Sequence, residues 1–398
     1  MTAHIGIVGG GIGGLCTAIA LRKIGLNVSV YEQSPHPGDH GAGIQLSPNA
    51  TRILRALGML GALEAVCFIP ESVQFRSWKH ARLIARLPLG QTSVERHGAP
   101  YLHIHRQDFH NILTERAQAL GAEIHYGYEL TALSQNASTV QLEFSDASSM
   151  QHDFVVGCDG IKSTIRRQLF SSAGAEFTGH VAWRGLLKTT NLPGRAIAPS
   201  ATVWLGPHRH FVHYYVNSGK TINYIAIVEN QDWREESWAI PADKNELSSA
   251  FQGWNTKVHA LIENSDVCYK WALYQHAPLK TWSNARVTLL GDACHAMLPY
   301  LAQGAAMAIE DAWILSRMLD QQEDSPILAF SEYEKYRWPR TTKMQLASAE
   351  QGDMFHLEKS WDVTMRNLKL GFGSRYLPEL ALQQLDWIHA YDAVKGFH

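Results

Sequence analysis

The N-terminal part of the chain alternates between short apolar runs and longer amphipathic stretches. Residues 5–8 form an apolar run that ends at glycines, residues 12–24 carry apolar side chains at helical spacing, and residues 27–31 return to the pattern of a buried strand. Gly25 follows the helical stretch, where a left-handed residue ends many helices. This order predicts a strand–helix–strand unit of a parallel sheet.

Both periodicities recur further along the chain. The helical pattern predicts helices at residues 48–66, 106–120, 243–264, 303–320 and 326–350, and a mostly helical tail from residue 354 to about residue 387. The strand pattern predicts strands at residues 123–126, 140–144, 154–158 and 286–290, and strand-like structure within residues 71–97. Residues 180–230 are rich in β-branched and aromatic side chains, which favours an antiparallel sheet.

These elements predict a mixed α/β protein. A Rossmann-like α/β domain is interleaved with an α+β domain built on an antiparallel sheet, and a helical segment follows at the C-terminus. We assign residues 1–70, 98–178 and 280–345 to the first domain, residues 71–97 and 179–279 to the second, and residues 346–398 to the C-terminal segment. A length of 398 residues suits two or three folding units.

Composition excludes several classes of function. The 35 Lys and Arg residues nearly balance the 37 Asp and Glu residues, so a nucleic-acid partner is not expected. The chain has no apolar run of about 18 residues, and Met1 leads directly into an apolar strand, so neither a membrane span nor a leader peptide is expected. Five cysteines without a CxxC pair argue against a disulfide framework or a zinc site, and predict a metal-free protein of the reducing cytoplasm.

A glycine motif separates the first strand from the first helix. Gly9, Gly11 and Gly14 fit the pattern GxGxxG, with Gly13 inside it. In this motif the first glycine permits a tight turn, the second lets the backbone approach a pyrophosphate, and the third allows close helix–strand packing. Glu32 closes the second strand, where a carboxylate can accept the hydroxyls of an adenosine ribose. The alternative is a glycine-rich turn beside a surface glutamate.

Two later motifs distinguish among dinucleotide-binding proteins. Residues 157–160 read Gly-Cys-Asp-Gly and are followed by Ser163 and Arg166; residues 290–295 read Leu-Gly-Asp-Ala-Cys-His and are followed by Pro299. Together with the glycine motif, and in the same order, they resemble the group A flavoprotein monooxygenases of the para-hydroxybenzoate hydroxylase type. The resemblance extends to about residue 345.

The resemblance implies non-covalent FAD, NADH or NADPH as co-substrate, and O₂. It implies that Asp159 lies near the flavin and the nicotinamide, that Asp292 binds the ribityl chain, and that Arg106 and Leu130 contact FAD. The backbone amides of Gly304 and Ala305 would face the edge of the flavin ring that becomes negative on reduction. No second GxGxxG motif follows a later strand, so the nicotinamide would bind transiently in a groove.

Within this family, the chain closely resembles salicylate hydroxylase and 6-hydroxynicotinate 3-monooxygenase. The similarity rests on residues 41–44, 47–49, 302–304 and 308–311, and on the pairs at 209–210 and 214–215. It implies that His210 and Tyr214 match a catalytic histidine and tyrosine of the nicotinate enzyme. Gln45 and Tyr300 occupy positions where that enzyme has pocket histidines. They are expected to contact the substrate, and they mark a difference between the two substrate pockets.

Strand alternation makes the placement of these residues testable. His210, Val212 and Tyr214 would share one face of a strand, and His213 would lie on the other, packed or solvated. The alternative for His210 and Tyr214 is an ordinary exposed pair. His295 is expected to be structural, and Cys158 and Cys294 are expected to be small buried residues without reactive thiolates.

The expected function is hydroxylation of a small hydroxylated aromatic or pyridine carboxylate, such as salicylate or 6-hydroxynicotinate, with or without decarboxylation. His210, as a histidine with a near-neutral pKa, would accept or orient the proton of the ring hydroxyl. One alternative is the same chemistry on a larger molecule such as a quinolone, purine or polyketide. Another is a non-catalytic binding protein of the flavin fold. The protein would act without membrane or nucleic acid, as a monomer or homodimer.

Overall fold

The computed structural model describes residues 3–36, 41–170, 174–192, 197–230, 232–235, 240–323 and 325–397. The helices of this part of the chain are α1 (Ile12–Lys23), α2 (Pro48–Ala56), α3 (Leu60–Val66), α4 (Gly90–His97), α5 (Arg106–Ala119), α6 (Thr164–Leu169), α7 (Lys244–Ala250), α8 (Thr256–Glu263), α9 (Asp292–His295), α10 (Gly304–Gln321), α11 (Pro326–Phe355), α12 (Ser360–Tyr376) and α13 (Pro378–His389). The strands are β1 (His4–Val8), β2 (Asn27–Glu32), β3 (Gly43–Leu46), β4 (Ser72–Ser77), β5 (Leu83–Pro88), β6 (Leu102–His105), β7 (Glu123–Tyr126), β8 (Leu130–Gln135), β9 (Val140–Phe144), β10 (Ser149–His152), β11 (Phe154–Gly157), β12 (Glu176–Lys188), β13 (Ser200–Gly206), β14 (Arg209–Val216), β15 (Thr221–Glu229), β16 (Val267–Gln275), β17 (Ser283–Asn284) and β18 (Val287–Leu289).

A six-stranded sheet forms one half of the described structure, in the order β17-β18-β11-β1-β2-β7. Its pairs are parallel except β17 with β18. Strand β1 lies beside both β2 and β11, and α1 crosses from β1 to β2 as the N-terminal pattern predicted. Ile7, Leu15, Ile19 and Val30 are fully buried, so the sheet and α1 share one apolar core.

A seven-stranded sheet forms the other half, in the order β16-β12-β15-β14-β13-β4-β5. The antiparallel sheet predicted for residues 180–230 is confirmed, with one parallel pair where β13 meets β4. Helices α7 and α8 cover one face of this sheet through an apolar cluster that includes Trp183, Phe211 and Phe251. The other face is turned toward the parallel sheet. The mixed α/β fold class and the helical C-terminal segment are thus confirmed.

Two predicted helices are each divided in two. The helix expected at 48–66 breaks at Gly58, which has a φ of +82°, and continues as α3. The helix expected at 243–264 breaks near Gly253, with a φ of +79°, and α8 restarts where the side chain of Asn255 accepts a hydrogen bond from the backbone of Lys257 at 3.1 Å. In both cases a left-handed glycine ends a helix whose apolar pattern continues beyond it.

Two further boundaries differ from the predictions. The strand-like stretch within residues 71–97 contains β4 and β5, but it ends in α4, which the strand pattern did not predict. Helix α11 runs to Phe355 rather than residue 350, and this brings His356 to the seven-stranded sheet. The division of the chain into domains stays a prediction. In the described ranges, no helix combines the length and the apolar character needed to span a bilayer.

Candidate active site

A cavity of about 1030 Å³ lies between the carboxyl ends of the parallel strands and the open face of the seven-stranded sheet. In an open α/β sheet, this edge is where ligands bind. Helices α12 and α13 close its outer side. The predicted site residues that line it are Gly11, Gly13, Gln45, Arg106, His210, Tyr214, Asp292, Tyr300, Gly304 and Ala305.

The glycine loop has the geometry that its motif requires. Gly9 has a φ of +104°, and a side chain there would place Cβ 2.2 Å from the carbonyl oxygen of Cys158. A Cβ at Gly14 would lie 1.9 Å from the carbonyl oxygen of Gly9, whereas a Cβ at Gly11 would meet no atom within 4 Å. The loop is therefore packed at its first and third glycines and open at its second, which leaves room for a pyrophosphate at the start of α1.

Glu32 ends β2 beside this loop. Its Oε2 atom accepts a hydrogen bond from the amide of Gly10 at 2.7 Å, and its Oε1 atom accepts one from the amide of Ser34 at 2.9 Å. Each oxygen keeps a further lone pair, so the carboxylate can still accept ribose hydroxyls. Leu130, in contrast, is a buried core residue of β8 and does not line the cavity. Its contact with FAD remains a prediction.

Asp292 and Arg106 place opposite charges on the wall of the cavity, and both side chains are exposed to its open space rather than packed in the core. Burial raises the pKa of Asp292 despite the nearby His295 and Arg106. Burial likewise lowers the pKa of Arg106 despite Asp292. Charged groups held away from bulk water need hydrogen-bond partners. The hydroxyls and phosphates of FAD would supply them, so these residues fit the cofactor.

Hydrogen bonds to α10 hold the loop that carries Asp292. The Nε2 atom of His295 lies 2.5 Å from Oδ2 of Asp311, and the same oxygen accepts the amide of Gly291 at 3.2 Å. Arg337 donates to Asp311 at 2.7 Å and to Glu310 at 2.6 Å. All of these side chains are buried. This arrangement agrees with a structural role for His295.

Helix α10 begins at the cavity. Gly304 and Ala305 line the cavity in its first turn, so the positive end of an 18-residue helix faces the cavity; that this end faces the flavin ring remains a prediction. The preceding Gln303 is fixed because its amide donates to Ser47 at 3.0 Å and accepts from Asn49 at 3.1 Å. The motif residues at 47–49 and 302–304 therefore meet in one buried network.

Asp159 lies at the edge of the site. Its Oδ2 atom accepts the amides of Thr164 at 2.8 Å and Ile165 at 3.2 Å, which caps α6, and its buried Oδ1 atom has no hydrogen-bond partner among the described residues. Its neighbours Cys158 and Gly160 line the cavity. Burial raises the pKa values of the Cys158 and Cys294 thiols, so neither is a reactive thiolate.

Strand β14 divides its residues between two faces as predicted. His210, Val212 and Tyr214 line the cavity, and His213 lies on the other face, where its Nδ1 atom accepts a hydrogen bond from the indole of Trp204 at 3.2 Å. His210 and Tyr214 are each 2% exposed. The alternative that they form an exposed surface pair is therefore wrong.

The near-neutral pKa expected for His210 is also wrong. Burial lowers its pKa well below 6.5, and the neighbouring His356 and His180 lower it further. Its Nδ1 atom lies 2.7 Å from Nε2 of His356. The imidazole is therefore neutral at physiological pH. Because Nδ1 faces His356, His210 can act as a base toward a substrate only if Nε2 carries the lone pair.

The polar groups around His210 include several that the sequence patterns did not identify. The hydroxyl of Tyr300 lies 2.6 Å from Nδ1 of His180, and the hydroxyl of Tyr101 donates to Gln45 at 2.8 Å. Burial raises the pKa of Tyr214, whose ring lies 4.7 Å from that of His103. The partners come from three distant segments of the chain, at His180, at Tyr101 with His103, and at His356, so no local motif marks them.

Comparisons with known proteins agree with this geometry. A family model described as an FAD binding domain matches residues 2–345. The chain is 36% identical over 390 residues to a 3-amino-4-hydroxybenzoate 2-monooxygenase of Streptomyces platensis, covering 98% of this chain and 96% of that protein. It is 37% identical over 348 residues to a 6-hydroxynicotinate 3-monooxygenase of Bordetella bronchiseptica, covering 87% and 90%.

The fold also matches that of a solved structure of a related enzyme. A salicylate hydroxylase in complex with its substrate superposes with a TM-score of 0.81 at 26% identity, covering 98% of this chain and 96% of that one. Relatives named as monooxygenases, together with the intact glycine, Asp159 and Asp292 motifs, leave no support for a non-catalytic binding protein. The chain belongs to the FAD-binding domain family and is a flavoprotein monooxygenase of the aromatic hydroxylase group.

Proposed function

We propose that this enzyme hydroxylates a small hydroxylated aromatic or pyridine carboxylate, with NADH or NADPH and O₂ as co-substrates. One observation carries the proposal: a single cavity joins the cofactor side, at Gly11, Arg106 and Asp292, to the polar face of β14 at His210 and Tyr214. The names of the relatives, which act on aminohydroxybenzoate and hydroxynicotinate, support the same class of substrate.

The chemistry that bound FAD supplies is reduction by NAD(P)H and activation of O₂. In the balanced reaction a ring C–H, O₂, NAD(P)H and one proton give a ring C–OH, water and NAD(P)⁺. If a carboxylate occupies the reacting carbon, CO₂ leaves in place of the ring hydrogen and a second proton is consumed. The residues near the cofactor would therefore hold it in place, and the residues of β14 would orient the substrate and remove its hydroxyl proton.

The substrate ring must be rich in electrons, and a deprotonated ring hydroxyl makes it so. His210 would accept that proton, since its imidazole is neutral and lines the cavity. Tyr214 would orient the substrate as a hydroxyl that stays protonated, because burial raises its pKa. Apolar side chains of Val203, Val212 and Ile227 line the same region and would keep water away.

The charge of the cavity favours an anionic substrate. Arg184 is buried, lines the cavity and stacks over Trp271, with its guanidinium carbon 5.6 Å from the ring centroid. Burial, followed by the neighbouring Arg106, lowers its pKa to about 10. A carboxylate on the substrate would offset this accumulation of buried positive charge.

The size of the cavity favours a small substrate over a polyketide. About 1030 Å³ must hold the flavin end of FAD as well as the substrate, and drug-sized ligands alone occupy sites of roughly 300–1000 Å³. The test is the rate of NAD(P)H oxidation and of product formation over a panel of hydroxylated benzoates and pyridine carboxylates, with uric acid and a quinolone as representatives of the alternative substrates. Turnover of only those two would contradict the proposal.

We also infer a cytoplasmic location, because the five cysteines are unpaired. A monomer or homodimer remains our prediction for the oligomeric state, which light scattering of the purified enzyme would measure. The same panel, run with each nucleotide, decides between NADH and NADPH.

A further inference from the structure

A chain of hydrogen-bonding side chains leads from the cavity to the surface behind His210. Nδ1 of His210 lies 2.7 Å from Nε2 of His356, and Nδ1 of His356 lies 3.1 Å from Oε1 of Glu229. The second oxygen of Glu229 lies 2.8 Å from Nδ1 of His208. Exposure rises along the chain, from 2% for His210 to 36% for the Glu229 side chain and 44% for that of His208.

Backbone hydrogen bonds hold the segments that carry these side chains together. The amide of His208 donates to the carbonyl of His356 at 3.1 Å, and the amide of Glu229 donates to the carbonyl of His208 at 3.0 Å. His208 has a φ of +58°, a conformation that costs energy in a residue other than glycine and persists only where the surroundings enforce it. Three distant segments of the chain are thus fixed against one another at this point.

The direction of the hydrogen bonds follows from Glu229. A carboxylate only accepts, so the Nδ1 atom of His356 must donate to it. Burial, followed by His180, lowers the pKa of His356 to about 4, so its ring is neutral and its Nε2 atom must accept. The Nδ1 atom of His210 must then donate, which leaves the lone pair on Nε2 of His210.

We propose that His356 and Glu229 form a proton relay that sets the tautomer of His210 and carries the proton of the substrate hydroxyl to solvent. The substrate O–H bond breaks as an N–H bond forms at Nε2 of His210, and the Nδ1 proton of His210 passes to Nε2 of His356. The Nδ1 proton of His356 passes to Glu229 and on to water. When the aromatic hydroxyl re-forms in the product, one proton returns and both rings regain their starting tautomers.

Burial explains why a relay is needed. An isolated His210 could not hold the proton, because its charged form is disfavoured in the buried site. At Glu229 the proton reaches a carboxylate that is open to water. The other titratable groups facing this chain are His180, Tyr300, Asp353, His208 and Glu358.

This inference rests on the proposed function, so its test separates the two. The variant is Glu229→Gln, which keeps the shape of the side chain but cannot take a proton. Its matched control is Glu123→Gln, at an exposed carboxylate 3.6 Å from His125 on β7. Both are measured as FAD-loaded enzymes with the best substrate of the wild-type panel, and flavin content and Tm verify folding.

In Glu229→Gln we expect the rate of product formation to fall about tenfold, with KM unchanged. This loss is smaller than the loss of about 10²–10⁴-fold expected when the acid–base group itself is removed. The loss should shrink as pH rises toward the pKa of the substrate hydroxyl, because an ionised substrate needs no relay. A purely structural role would give a loss that does not depend on pH, and that result, or a rate equal to the control, would overturn the relay.

A second measurement needs no substrate. Nitrogen-15 NMR of histidine-labelled, FAD-loaded enzyme should find His210 with its proton on Nδ1 in the wild type and a mixture of tautomers in Glu229→Gln. A proton on Nε2 of wild-type His210 would overturn the inference.

Stoichiometric metal in the purified enzyme would also overturn it, since an ion between His180, Glu229 and His356 would occupy a nitrogen atom of His356 and block the transfer of the proton. An inactive wild type with the expected tautomer would reject the proposed function alone.

Discussion

His295 and Asp311 join the loop that carries Asp292 to α10, the helix that begins at the cavity. Nε2 of His295 lies 2.5 Å from Oδ2 of Asp311, and both side chains are buried. Burial alone would raise the pKa of Asp311, but His295 and Arg337 outweigh it and hold the pKa below its ordinary value. The ion network is thus part of the scaffold that places Asp292 in the cavity.

Asp311→Asn should destabilise the protein. Removing the Asp311 charge from the buried ion network leaves Arg337 with Glu310 as its remaining carboxylate and His295 without an anionic partner, which costs about 3–5 kcal/mol of the free energy of unfolding. Because the pKa of Asp311 is lowered in the folded state, its contribution is present above the ordinary carboxyl pKa and is lost as pH falls through the folded value. The variant should therefore unfold at a higher pH on acidification, as measured by circular dichroism.

The control for this variant is Asp320→Asn, at a half-exposed carboxylate on the same helix that pairs with Arg317 at 2.5 Å. An exposed pair is worth at most about 1 kcal/mol. Equal losses in the two variants would contradict a special role for the buried network.

Asp292→Ala should weaken FAD binding. The carboxylate faces the cavity beside Arg106, and losing a hydrogen bond from a charged acceptor costs about 1–3 kcal/mol, or roughly 5- to 150-fold in Kd. Fluorescence titration of the apoprotein with FAD measures this change, with the exposed Asp146→Ala as control. An unchanged Kd would remove Asp292 from the cofactor site.

Glu32→Ala should weaken FAD binding without changing which substrates are accepted. The carboxylate holds the amides of Gly10 and Ser34 at the glycine loop and does not line the cavity near His210. Glu32→Gln, which keeps one acceptor oxygen, should lose less affinity. A shifted substrate profile with normal FAD affinity would place Glu32 elsewhere in the mechanism.

The sequence predicted the features that local chemistry determines. The turn at Gly9, the room at Gly11 and the alternation of His210 and His213 across β14 each depend on a few neighbouring residues, and each is found in the structure. The helix breaks at Gly58 and Gly253 were missed because a continuing apolar pattern outweighed a single glycine in the analysis.

The groups behind the site could not be predicted in this way. His356 is 146 residues from His210 in sequence and meets it only because α11 extends to Phe355. Burial, which lowers the pKa of His210, depends on the packing of α11 against the sheet and leaves no trace in the local sequence. Tertiary packing therefore determined both the partner and the protonation state of the central histidine.

His210→Asn should reduce hydroxylation by about 10²–10⁴-fold, the usual contribution of a positioned acid–base group. FAD content should stay normal, because the residue lies on the seven-stranded sheet. NAD(P)H oxidation should continue with release of hydrogen peroxide, since the substrate ring is no longer activated. Tyr214→Phe should lose less, because an orienting hydroxyl is worth about 0.5–1.5 kcal/mol.

The pH dependence distinguishes a catalytic His210 from a bystander. A histidine whose pKa is lowered stays neutral, and so remains a base, as pH falls below 6.5. The wild-type kcat/KM for product should therefore hold from neutral pH to below 6.5, without a limb at the ordinary histidine pKa. Product formed per NAD(P)H consumed, measured across pH, is the deciding quantity. If His210→Asn remained fully coupled with the wild-type profile, His210 would be a bystander and proton removal would have to be assigned to another group in the cavity.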